Sequence, residues 1–357
     1  MSAPLVMSLR FDERNVYEGW VLEFTGKYPA DLVIPEEYDG QKVEIIGERF
    51  ANRYDKLHSV TLPDTVLHIC SRAMSYCENL QEVHLPCCLE RIDEKCFSHS
   101  GLTSIDIPDS VTRLDNDVFV SCKSLTSARI SNHIDALKPR TFQGCTSLET
   151  VTGGENVTIF GKECFEKCTA LKSIPDFPAV TKLGDSCFSG CLGLEVVTLP
   201  PQITSIGKGA FHGCKNLKEL HLPDGLKNIS EGMFADSNAL ETVTIGSGTK
   251  KIGKDAFSGC KHLKNLTLGE GITELGETAF YGCKALEKVV LPGKVKTIKM
   301  ACFDGCKALK EIHIPKSVKN IDLLALPDNP KMVICGAKGS AAEEYANENG
   351  LTFQEEA

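Results

Sequence analysis

The sequence predicts a solenoid of stacked coils, each about 23 residues long and each contributing parallel strands, closed by a β cap at one end and a short helix cap at the other. Three observations predict it. A large apolar residue, nearly always phenylalanine, recurs at Phe50, Met74, Phe97, Phe119, Phe142, Phe165, Phe188, Phe211, Phe234, Phe257, Phe280 and Phe303, at intervals of 24, 23 and 22 and then eight of 23. A cysteine follows three residues later at Cys77, Cys122, Cys145, Cys168, Cys191, Cys214, Cys260, Cys283 and Cys306, with Ser100 and Ser237 in its place in two repeats. A leucine follows at six, from Leu148 to Leu309. Chance does not hold such a register over this length.

The N-terminal stretch NVYEGWVLEFTGK alternates, placing Trp20, Leu22 and Phe24 on one face of a strand, and DLVIPEEYDGQKVEIIG turns at Asp39-Gly40. Both read as a β cap. In the unit from Ile203 to Pro223, Leu217, Leu220 and Leu222 alternate along a short strand while Glu219 and His221 point the other way. Pro223 ends that strand because proline has no amide to donate. Ile203 and Ile206 mark a second short strand closed by Gly207. The intervening GKGAFHGC is too short for a proper helix and predicts one tight helical turn that Gly213 terminates. One unit cannot bury its own apolar face, so coils must stack, with the phenylalanines forming an internal spine worth about 2–3 kcal/mol per buried ring. At the far end, GSAAEEYANENGLTF predicts a short helix with Ser340 as N-cap and Asn349-Gly350 as its stop.

The pattern LxxLxLPxxVTxIGxxAFxGCxxL resembles the BspA-type leucine-rich repeat family. It is carried by Leu217 to Pro223 followed by Leu226 to Phe234, and by Leu263 to Leu268 followed by Ile272 to Cys283. On that reading residues 1–44 are the N-terminal β cap, 45–336 are BspA-like repeats in about 12–13 coils, and 337–357 are the C-terminal cap helix and tail. The resemblance implies a right-handed solenoid without cofactor or catalytic residues. It also implies a role in adhesion or host-protein binding, since members of the family are often surface or secreted proteins.

The chain's 17 cysteines invite a chemical reading. Cys164/Cys168, Cys187/Cys191 and Cys302/Cys306 form C-F-x-x-C pairs, but Cys164, Cys187 and Cys302 fill the slot that Ala210, Ala256 and Ala279 fill elsewhere. Small buried hydrophobe is the favoured reading, with disulfides and metal sites as alternatives, and so many thiols fit a reducing compartment. His212–Cys214 and Cys260–His262 lie two coils apart, about 10 Å, too far to share one zinc ion. No phosphate-binding glycine loop, nucleophile elbow or HExxH pair occurs, so neither a metal nor a cofactor is expected.

Lys+Arg 39 against Asp+Glu 48 leaves a net charge of −9, unsuited to nucleic acid or an anionic membrane surface. All of the excess lies in residues 1–178, which also hold every arginine. The favoured reading is drift on a solvated surface that serves solubility; the sharper alternative makes this half a partner surface, because arginine is enriched at interfaces and lysine depleted. No apolar run approaches the ~20 residues of a membrane span. No basic n-region or apolar h-region opens the chain, so the expectation is a cytoplasmic location, with the cell surface or secretion as the alternative if an export signal precedes it.

The outward positions of the strands are the best candidate site, because solenoids recognise partners along such faces. Serine and threonine dominate there. Only Glu82, His84, Asp106 and Arg129 form a charged cluster, in the coils where the spacing slips and Ser100 replaces the cysteine. They are the candidate partner-binding residues of a monomeric, non-enzymatic protein-interaction module. A structural spacer ranks second, and a metal- or thiol-dependent enzyme last.

Overall fold

A computed structural model describes residues 5–8 and 21–24 by their backbone, and residues 29–38, 40–322 and 324–356 in full. The fold is a parallel-strand β-solenoid of about 13 turns with one short helix, Ala341–Glu348. The chain packs as two compact units, Met1–Leu171 with Pro175–Val180, and Lys172–Ile174 with Thr181–Ala357.

In each unit most coils supply one longer and one two-residue strand, and most strands pair with their counterparts a repeat later. In the second unit Glu219–His221 lies between Val196–Thr198 and Thr242–Thr244, all parallel, with Leu220 beside Val197 and Val243. Asn228–Ile229, Lys251–Ile252 and Glu274–Leu275 form the short-strand ladder. The first unit repeats the plan, with Asp31–Val33, Ser59–Thr61 and Glu82–His84 in one ladder and Ser104–Asp106, Ser127–Ile130 and Thr150–Gly153 in another.

The segment between the strands differs from the expected helical turn. It runs as consecutive tight turns with positive φ at Gly209 (+59°) and Gly213 (+67°). Alternate amides then serve two ends. Gly209, Phe211 and Gly213 donate to the carbonyls of Glu231, Met233 and Ala235 one coil on, at 2.8–2.9 Å, while His212 and Cys214 donate back three residues. A helix would aim all of these amides along its own axis and leave the next coil's carbonyls without donors. Where both strand ladders continue, as from Glu219 to Leu275 in the second unit, a coil is thus stitched to the next along three ladders.

The predicted spine is present. Phe211, Phe234, Phe257, Phe280 and Phe303 are fully buried, with successive rings nearly parallel and centroids 5.2–5.5 Å apart. Phe97, Phe119 and Phe142 do the same in the first unit at 5.4–5.7 Å, and Met74 is buried in the same slot. No strand forms at Ser173/Pro175, although the repeat counts that pair among the outward strand positions. Pro175 has no amide for a ladder, and Phe177 turns inward instead, packing edge-on against Phe160 at 5.3 Å.

At the start, Leu5–Ser8 pairs antiparallel with Val21–Phe24, which continues in parallel to Ile45–Ile46. Trp20 and Asp39 lie outside the described residues; Gly40 has φ +76° between the antiparallel Glu37–Tyr38 and Gln41–Lys42. At the far end the helix stops at Asn349, followed by Gly350 at φ +63°, as its sequence predicts. Ser340 holds the N-cap position, but its hydroxyl makes no capping bond; the Glu343 carboxylate instead accepts from the Gly339 amide at 2.6 Å. A strand not foreseen in the sequence, Thr352–Glu355, then pairs in parallel with Val333–Gly336. Among the described residues no helix is long and apolar enough to cross a membrane.

Candidate functional site

The first unit's outward strand face is built by alternation. In Glu82–His84, Val83 is 8% exposed and faces the core, so Glu82 and His84 must face outward. Register aligns His84 with Thr61 and Val33, and Glu82 with Ser59 and Asp31. Ile105 and Ala128 turn inward in the same way, which puts Asp106 and Arg129 side by side on neighbouring strands.

All four predicted residues therefore share one face, but they form two pairs. His84 Nε2 lies 3.3 Å from Glu82 Oε1. Arg129 reaches Asp106 Oδ1 at 3.2 Å and Asp109 Oδ2 at 2.9 Å, and also donates to the Ile107 carbonyl at 3.1 Å. Asp109 was not foreseen. It accepts first from the Asn132 amide and then from Arg129, and both hold its carboxyl below the usual range. Between the pairs the ladder is interrupted, since Glu82–His84 and Ser104–Asp106 belong to different sheets. This is also the coil of the 22-residue repeat, where Gly101 approaches the previous coil so closely that a Cβ there would meet the Glu78 carbonyl oxygen at 2.1 Å.

Several of the described arginines of this half contact the chain itself. Arg140 grips the buried Asp117 carboxylate through Nε at 2.5 Å and Nη2 at 2.9 Å, and Arg113 pairs with Asp115. Arg91 pairs with Asp93, a carboxyl that burial pushes up but that hydrogen bonds from His68 and Arg91 hold below its ordinary value. Arg53 lies 5.1 Å over the Tyr76 ring, which stacks on His99 at 4.3 Å.

The cysteine slot has a role that composition does not reveal. Cys214, Cys260, Cys283 and Cys306 each donate their S–H to a spine carbonyl 26 residues earlier, at Phe188, Phe234, Phe257 and Phe280, over 3.2–3.3 Å. Ser237 does the same to Phe211 at 3.1 Å, and Cys122, Cys145 and Cys168 repeat the bond in the first unit at 3.0–3.1 Å. Burial pushes the Cys214 thiol up to about 12 and Cys77 to about 11, far from the thiolate a nucleophile needs. Cys164 and Cys302 fill the small slot with no exposed surface. Cys87 and Cys88 are the exposed cysteines, with sulfurs 3.9 Å apart.

A shallow groove of about 600 Å³ runs along the second unit's short strands. Most of its charges are paired, as Lys208–Glu231 at 2.9 Å and Lys251–Glu274 at 3.0 Å show, so only a small net positive charge remains for a ligand. Two groups have their donor atoms within 4.8 Å of one another: His68, Cys70 and Asp93, and Glu311, His313 and Cys335. Counting along the chain misses both. Strand register places His313 beside Cys335, 22 residues away.

The profile of the BspA type leucine-rich repeat region matches residues 44–172, 136–260, 181–306 and 236–331, and the chain belongs to that family. No curated protein matches it. Among solved structures it is similar to a leucine-rich repeat protein from Bacteroides ovatus, at 23% identity over 100% of both chains with a TM-score of 0.78. It is also similar to the pneumococcal vaccine antigen PcpA, at 18% identity over 96% of each chain and a TM-score of 0.66. A leucine-rich repeat protein from Eubacterium ventriosum shares 21% identity over 78% of this chain and 89% of its own, with a TM-score of 0.50.

Proposed function

We propose that the chain is a protein-binding module that engages its partner through the first unit's outward strand face, around Glu82, His84, Asp106 and Arg129. Leucine-rich repeat proteins generally bind other proteins, and that supports the class. One observation supports the place: a charged, solvent-open cluster where the ladder breaks, with the Asp106 side chain 75% exposed. Val33, 70% exposed in the same column as His84, adds an apolar contact beside the charges. Departures from a local rule concentrate where a protein functions, and this is the stretch in which the repeat length changes. The module acts without catalysis, a reading supported by the thiols of Cys77, Cys164, Cys214, Cys260 and Cys302, which burial holds protonated.

Capture of a partner on immobilised protein, identified by mass spectrometry and repeated with that partner purified, tests the reading. Changing Glu82→Gln, His84→Gln, Asp106→Asn and Arg129→Gln together weakens binding by at least about tenfold, typical of losing a few central contacts. The exposed Lys218–Glu195 pair of the second unit, changed to Gln and Gln, leaves it intact. Unchanged capture by the fourfold variant overturns the assignment. We further propose a reducing compartment, supported by the row of S–H donors, which must stay reduced to bond. Surface labelling of intact cells checks this, and a labelled chain would favour adhesion at the cell surface.

A further inference from the structure

The strands Glu311–Ile314 and Val333–Gly336 bring together a set of donors that the binding face does not use. His313 and Cys335 are register partners on adjacent parallel strands, and Glu311 lies two residues before His313 on the same face. One donor atom from each of Glu311, His313 and Cys335 lies within 4.8 Å of the others. The chain beyond the last strand supplies Glu356, whose Oε1 is 2.6 Å from His313 Nδ1, while His313 Nε2 faces Glu311. Lys288 Nζ also contacts Glu311 Oε1, at 2.7 Å.

We propose that Glu311, His313 and Cys335 bind a zinc-class divalent ion, with Glu356 orienting the His313 ring. The donor types select the metal. Thiolate and imidazole favour zinc over magnesium or calcium, which take oxygen ligands. Without metal both ring nitrogens face carboxylates, so Nε2–H donates to Glu311 and Nδ1–H to Glu356. On metal binding Nε2 loses its proton to solvent and turns its lone pair to the ion while Nδ1–H stays on Glu356, the carboxylate–histidine–metal arrangement that fixes tautomer and ring orientation. Zinc bonds of about 2.0–2.3 Å require ligand separations of about 3.3–3.8 Å, so on binding the hydrogen-bonded Glu311 and His313 donors move apart by roughly an ångström to admit the ion, with Cys335 within 4.8 Å of both. Cys335 loses its S–H proton to solvent as the Zn–S bond forms. Two carboxylates and that thiolate, offset by the Lys288 ammonium, leave two negative charges, which the ion neutralises. Cys335 is 1% exposed whereas the Glu311 side chain is 37% exposed, so the ion is sealed on the protein side and keeps its fourth position toward water. The His68, Cys70 and Asp93 group carries less negative charge, one carboxylate and one thiolate against the Arg91 guanidinium, so a divalent ion there is left with one positive charge in excess.

Reduced protein, stripped with a chelator and dialysed against zinc chloride, is assayed for bound metal by elemental analysis and by competition with a colorimetric chelator. The wild type retains about one equivalent. Cys335→Ser and His313→Ala each weaken binding by at least about a hundredfold, and Glu356→Gln by about tenfold to a hundredfold, the usual range for an orienting partner. His68→Ala changes nothing. Cobalt chloride added to the wild type gives a near-ultraviolet thiolate-to-cobalt band, a readout that needs no variant to fold. Less than a tenth of an equivalent of zinc, zinc bound with undiminished affinity by Cys335→Ser, or a cobalt complex without the thiolate band overturns the proposal.

Discussion

Ser237 shows what the repeated cysteine does. The sequence presents that slot as a place for a small buried hydrophobe, and burial agrees: Cys214, Cys260 and Cys283 have no exposed surface. Serine is a poor hydrophobe, yet it holds the slot at Ser237, fully buried, with its hydroxyl on the Phe211 carbonyl. The shared property of the two side chains is a donor of the right reach. The Phe211 carbonyl also accepts from the Cys214 amide, so the hydroxyl is the second of its two bonds, worth about 0.5–1.5 kcal/mol. Ser237→Ala therefore lowers stability by about that amount in urea unfolding, whereas Ser237→Cys, which restores the repeat, stays within about 1 kcal/mol of the wild type. Equal loss from both variants would remove the hydrogen bond from the account. The two serines were visible in the sequence as exceptions. For Ser237 the meaning was hidden because the acceptor lies 26 residues upstream and only stacking brings it near, while Ser100 meets the Cys122 sulfur at 3.3 Å.

Among the elements, the strands were legible and the turns were not. Alternation along Leu217, Leu220 and Leu222 gives inward and outward faces without further information, and the ladders follow it. The turn segment looks helical because it is short and glycine-flanked. Its actual form depends on carbonyls one coil away, which local reasoning does not contain. Those bonds also hold ordinary residues at positive φ in the same two slots, among them Asp255 (+54°), Lys167 (+61°) and Asp236 (+59°), so glycine is convenient there rather than required. Gly101 is different. A Cβ would strike backbone, the Glu78 carbonyl oxygen, rather than a movable side chain. Gly101→Ala therefore costs on the order of 2–3 kcal/mol, the cost of an overpacked site, and shifts the thermal midpoint accordingly. A midpoint equal to wild type would mean that the shortened coil has slack. The metal group was illegible for a related reason: its histidine and cysteine become neighbours only once the register between Glu311–Ile314 and Val333–Gly336 is known.

For the whole molecule, periodicity carried the fold class and the family, while charge counts pointed to a half of the chain without naming its contacts. Arginine content alone suggested free partner surface there; in the structure Arg91, Arg113, Arg129 and Arg140 are each paired with a carboxylate of this same chain. The many buried thiols have a collective effect on pH stability. Burial raises Cys77 to about 11 and Cys214 to about 12, and pushes Cys164, Cys260 and Cys302 higher still. Below the unfolded value of about 8.5 both states keep the proton, and this contribution is fully present. As pH rises through that value the unfolded chain releases protons that the folded chain still holds, so stability is lost progressively toward the folded values. Each thiol contributes about 1.4 kcal/mol per pH unit, and the urea midpoint falls steeply between about pH 9 and 11. A flat midpoint over that range would contradict the burial. The central claim, that the repeated sulfurs are inward packing groups on a stack of coils, is tested most directly by alkylating the native protein at mildly alkaline pH and locating the label by peptide mass spectrometry. The account predicts prompt labelling at Cys87 and Cys88, with Cys164, Cys214, Cys260 and Cys302 reacting only after unfolding. Labelling of those four at the rate of the exposed pair would contradict it.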